Sequence, residues 1–277
     1  MGYILENWTP LVLTIAITFF AILIISIINL RHNRALAEKL VFHALTFLLF
    51  YKLLGYIVYC IIVKNPWYEQ IPVETSQIAY FLVPIAYLTQ NKWIKDGAYL
   101  VGFIAGFIHL LSITVAPYRF VEAGNTAFEF FEATAVHYIL FWSCAVEICC
   151  IERLEIKNIW KAYIIFGLIL CWGALAGNTW MYGTDPGYPD APANIGYTQR
   201  CDMLPDVLLE RYPWLAEHHL FLVPFFVALL IVSAIIYTLS YLSTRNLPES
   251  EPSIYGMGWS GIKRLMKTDI IAPFEDK

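Results

Sequence analysis

The sequence predicts an all-α protein, a polytopic membrane helical bundle of about seven transmembrane helices, and three observations predict it. Its 277 residues are 59% hydrophobic and only 14% charged, whereas soluble domains carry about 25% charged residues. Apolar runs of about 18 to 24 residues, the length that crosses a hydrocarbon core as helix, recur along nearly the whole chain. Lys and Arg alternate between rich and poor connections, as cytoplasmic and external loops do. Mean hydropathy is +0.59, and no polar stretch of domain size is left over. The expected organisation is a transmembrane domain over 1–244 and a cytoplasmic C-terminal tail over 245–277.

Taken in order, the apolar segments are Leu11 to Leu30, Leu40 to Val63, Ile71 to Leu88, Gly97 to Ala116, Phe128 to Ile151, Ala162 to Tyr182 and Leu220 to Ser243. The third is the shortest and holds four consecutive polar residues, Glu74, Thr75, Ser76 and Gln77. Charge supports counting it. Arg31, Arg34, Lys39, Lys92, Lys95, Arg153, Lys157 and Lys161 fall in the odd connections and five more basic residues in the tail, thirteen in all. Lys64, Arg119, Arg200 and Arg211, only four, fall in the even ones. That asymmetry places the N-terminus outside and the C-terminus in the cytoplasm. Trp8, Trp67, Tyr68, Trp93, Trp160 and Trp180 lie near segment ends, where amphipathic rings sit at headgroup level.

Several classes are excluded or disfavoured. No basic n-region precedes the first apolar run, so that run reads as a retained helix. Position 6 is Glu, which breaks the myristoylation pattern. Five of the six cysteines lie in or beside apolar segments and no CxxC pair occurs, so neither a disulfide framework nor a cysteine metal site is expected. Glycine-rich phosphate loops and nucleic-acid signatures are missing. The expected partners are membrane lipids and a lipid or small-molecule substrate, with no cofactor and no nucleic acid, and the expected location is the plasma membrane.

Each polar residue acquires a depth at about 1.5 Å per residue. Glu74 and Ser76 enter from outside on the third segment, Glu129, Glu132 and His137 on the fifth, while His109 and Asn178 approach the same side on outward-running segments. The polar groups gather in the outer half, as the lining of a cavity would. Plain structural readings stand beside this. Ser and Thr in membrane helices commonly bond their own backbone, Glu129 and Glu132 could sit at a wet helix end, and Lys52 could snorkel or pair with a carboxylate. Glu147 and His43 fall near the inner face, where solvation is the expectation.

Three chemistries could use the outer set. In acyl transfer, the hydroxyl of Ser76 or Thr75 attacks after a base takes its proton. His137, or alternatively His109, would be that base, Glu74 or Glu132 its orienter, and the amide of Asn178 the oxyanion donor. His109, Glu129, Trp180 and Tyr182 would then contact substrate. Metal-assisted hydrolysis would need a ligand pair such as HExxH, which no segment carries. Proton-linked transport would use Glu74 and His137, though the paired broken helices typical of transporters are missing. A non-enzymatic accessory subunit docking through the connection Gly183 to Glu217 remains a further reading.

Three stretches carry a family resemblance: GNTWMYGTDP from Gly177 to Pro186, YPWL from Tyr212 to Leu215, and IPVETSQ at the start of the third segment. Together they resemble the YwaF-like bacterial integral membrane proteins, which are similar to an animal ether-phospholipid acyltransferase. Phe130, Phe131 and His137 stand where that family has Phe-Phe followed by His. The family's His falls on Glu74, its Cys on Ser76, and its Asn on Thr179, with Asn178 one place earlier. The resemblance implies lipid acyl chemistry with Ser76 in place of the thiol, and a Ser hydroxyl needs a stronger base than a Cys thiol. A similar-looking group of lipid hydrolases uses a Thr with a His, which keeps Thr75 as the alternative.

Overall fold

The structure is a computed structural model that describes residues 2–62, 72, 74–115, 127–173, 184–185, 188–192, 211–212 and 222–245. Seven helices run through them: α1 (Gly2–Leu30), α2 (Arg34–Ile61), α3 (Thr75–Thr89), α4 (Lys92–Val115), α5 (Ala127–Val146), α6 (Ile159–Trp172) and α7 (Leu222–Thr244). Two short strands, β1 (Thr184–Asp185) and β2 (Tyr188–Pro192), pair antiparallel inside the long sixth connection.

Five helices contain windows long and apolar enough to cross a membrane: Pro10–Leu30, Arg34–Ile61, Trp93–Thr114, Phe130–Ile151 and Phe226–Thr244. As described, α3 has 15 residues and α6 has 14, roughly 22 Å and 21 Å of helix, against a core of roughly 30 Å. The third segment also begins differently from the sequence reading. Glu74 is the N-cap of α3, and the Gln77 side chain accepts from the Glu74 backbone N–H at 3.5 Å. The polar run is thus the cap and first turn of a helix, where unpaired backbone N–H groups call for oxygen acceptors. Just outside it, the Pro72 carbonyl accepts from the Trp172 indole at 2.9 Å, tying the start of α3 to the end of α6.

At the centre lies α4, packed against α1, α3, α5 and α6. Glycines make that possible. A Cβ on Gly102 would lie 2.7 Å from Cys144 Sγ and from Val83 Cγ2, and one on Gly106 would lie 2.6 Å from Phe141 Cβ and 2.7 Å from the His137 carbonyl oxygen. These contacts also show the register, with α4 and α5 antiparallel along a close seam. Because the obstacles at Gly106 include α5 backbone, they cannot rotate away. Gly106→Ala is therefore expected to cost about 1–3 kcal/mol and to displace His137. A methyl group on Gly55 would meet nothing within 4 Å, so Gly55→Ala should cost nothing. Thermal unfolding of both variants in detergent checks the contrast.

At its far end α5 passes into a π turn, Glu147–Ile151. The wider turn leaves a carbonyl for another helix to satisfy. Ser240 of α7 donates to the Ile148 carbonyl at 2.9 Å and accepts from the Leu154 backbone N–H at 3.0 Å. Arg153 donates to the Thr244 carbonyl at 3.0 Å. These bonds fasten α7 to the end of α5.

Candidate active site at the α3–α5 crossing

Helical spacing builds the site first. Ser76 and Tyr80 are four apart on α3 and share a face of the helix. Tyr80 is 4% exposed, and its hydroxyl oxygen lies 2.8 Å from Nδ1 and 2.9 Å from Nε2 of His137 on α5. His137 Nδ1 is also 2.7 Å from the Ala133 carbonyl oxygen. A carbonyl only accepts, so the proton of the neutral ring belongs on Nδ1 and the lone pair on Nε2. Tyr80 then donates to Nε2. The observed bonds run from Tyr80 to His137 to Ala133, with Ser76 on the same face of α3 one turn before Tyr80.

The flanking groups come from two more helices. The His109 ring of α4 stacks on His137 with centroids 3.7 Å apart and planes 5° from parallel. From α2, the Lys52 ammonium lies 3.0 Å from Glu132 Oε1 and 4.8 Å from the Tyr80 ring centroid. Lys52 and Glu132 are part-buried, with side chains 22% and 26% exposed.

Several residues are therefore employed otherwise than the sequence suggests. Nδ1 of His137 contacts the Ala133 carbonyl, Glu132 is paired with Lys52, and Glu74 caps α3. Thr75 precedes Ser76 by one residue, about 100° round the helix. Glu129 falls in the first turns of α5, and Asn178, Trp180 and Tyr182 lie outside the described residues. Among the described residues no group of three His, Cys, Asp or Glu side chains could hold a metal ion. Tyr80 is the neighbour of His137 that sequence reasoning missed. A tyrosine four residues after a polar helix start was the available signal.

The opposite end of the bundle corrects another expectation. Glu147, placed by depth counting in a solvated zone, is 0% exposed. Lys95, itself 4% exposed, stands 3.6 Å from Glu147, donates to Gln90 at 2.7 Å and pairs closely with Glu152. Depth along an axis does not reveal which way a side chain points; both Lys95 and Glu147 face the α4–α5 seam.

Residues 3–241 match the TMEM164 family. The chain belongs to that family. The match takes in every residue of the α3–α5 crossing, and with the spanning helices it makes this TMEM164-family chain a multi-pass integral membrane protein in contact with lipid. Neither a curated protein nor a solved structure matches it.

Proposed function

We propose that this protein transfers or hydrolyses the acyl group of a phospholipid or lipid-like substrate, with Ser76 as nucleophile and His137 as base. The observation that carries the reading is Tyr80, whose hydroxyl lies 2.9 Å from Nε2 of His137 and which shares a helix face with Ser76 one turn away. A hydroxyl placed between a nucleophile and its base can relay the proton that activation of the nucleophile releases. Ser76 attacks the ester carbonyl while its proton passes to the Tyr80 oxygen and the Tyr80 proton passes to Nε2 of His137. The new bond is Ser76 Oγ to the carbonyl carbon. The ester C–O bond then breaks, the leaving alkoxide takes the proton from the imidazolium, and water or an acceptor hydroxyl later removes the acyl group.

Depth favours a lipid ester. Tyr80 sits about 8 Å below the start of α3, close to where the hydrocarbon core gives way to the interfacial region. The basic-residue asymmetry supports that end being the outer one, with the tail at 245–277 cytoplasmic and the plasma membrane as location. The motifs shared with YwaF-like proteins support the same chemistry. Thr75 is the alternative nucleophile, Asn178 an oxyanion donor, and His109, Glu129, Trp180 and Tyr182 substrate contacts.

The test is labelling of the purified protein in detergent with a fluorophosphonate bearing a lipid-like chain. Wild type should label, and Ser76→Ala and His137→Ala should not. Loss with Thr75→Ala in place of Ser76→Ala would move the nucleophile by one residue. A folded wild type that does not label, in detergent or in lipid nanodiscs, would overturn the hydroxyl mechanism.

A further inference from the structure

A lysine in a membrane helix normally reaches along its stem to the interface. Lys52 turns inward instead, over the Tyr80 ring and against Glu132, 80 residues away in sequence. As a purely structural device this is a poor choice, because a part-buried ion pair contributes little to stability once its desolvation is counted. Both side chains also stay partly open, 22% and 26% exposed. If the ammonium shifts toward another oxygen, Glu132 keeps contact with its surroundings on that open side. Lys52 is thus held at the site by a partner that can release it.

We infer that Lys52 receives the negative oxygen of the substrate at this site, an inference that rests on the acyl-transfer reading. When Ser76 attacks, charge builds on the carbonyl oxygen, and a cation already fixed beside the nucleophile's relay stabilises it without moving far. Lys52 keeps its proton throughout and forms only a hydrogen bond to that oxygen. The ligand chemistry is an ester carbonyl on its way to an oxyanion. In fluorophosphonate labelling the same place is taken by the phosphoryl oxygen, as the Ser76 Oγ–P bond forms, the P–F bond breaks and fluoride leaves.

The experiment measures labelling rates for wild type, Lys52→Met, Lys52→Arg, and the double variant Lys52→Met/Glu132→Gln, with Ser76→Ala as the reference for specific reaction. Lys52→Met is expected to slow labelling about a hundredfold, Lys52→Arg to regain part of the rate by restoring charge, and the double variant to stay as slow as Lys52→Met. A double variant that recovers the wild-type rate would show that only the balance of the pair matters, and would overturn the role. So would Lys52→Met labelling at the wild-type rate, with the nucleophile assignment left standing. Wild-type labelling that survives Ser76→Ala and Thr75→Ala would instead remove the parent reading and this inference with it.

Discussion

Tyr80→Phe is expected to lower the rate of Ser76 modification by about a hundredfold or more, the range attached to losing a positioned proton-transfer partner. Phenylalanine fills the same buried space but removes the hydroxyl that lies 2.9 Å from His137 Nε2. The cost to stability should be small, about 1 kcal/mol for one hydrogen bond, because Tyr80 otherwise packs as a core residue. The two effects separate cleanly. Labelling kinetics alongside thermal unfolding should show a large kinetic loss with a nearly unchanged melting temperature. Equal labelling of Tyr80→Phe and wild type would mean that His137 reaches the nucleophile without the phenol, or that another base acts.

The largest expected effect on stability lies at the other end of the α4–α5 seam. Lys95 lies within ion-pair reach of two carboxylates, and Glu147 has no exposed surface. Lys95→Met should cost about 3–5 kcal/mol, the range for removing one partner of a buried pair and leaving the other charged group uncompensated. Adding Glu147→Leu should recover much of that, since a matched apolar pair replaces a matched ionic one. Denaturant titration of the two variants in detergent at neutral pH checks this. A loss below about 1 kcal/mol in the single variant would show that water reaches Glu147 once Lys95 is gone.

Some of this was legible before any coordinates. The membrane helices follow from run length, because a span must pair every backbone group within the helix and must be apolar outside. Ser76 and His137 were legible as candidates because polar side chains are costly in apolar segments. Other features were hidden for identifiable reasons. The Glu74 to Gln77 run looks like polar residues within a span until the backbone shows that the helix starts there. Tyr80 reads as core or interface, and only the approach of α5 gives its hydroxyl a base. Glu132 reads as the orienter of His137 because both lie on one helix, but Lys52 on α2 pairs with it.

By itself, then, the sequence determined the class of the protein: multiple apolar helices, the alternation of charge between connections, and the short list of polar groups that lipid would not tolerate without a reason. Composition and periodicity are one-dimensional properties, and these conclusions need nothing more. The tertiary structure decided which of those groups meet. Helix–helix approach distances, set in part by glycines at 102 and 106, bring His109 against His137, Tyr80 against His137, and Lys95 against Glu147. Residues on different helices, far apart along the chain, become neighbours only through packing, which no local pattern encodes.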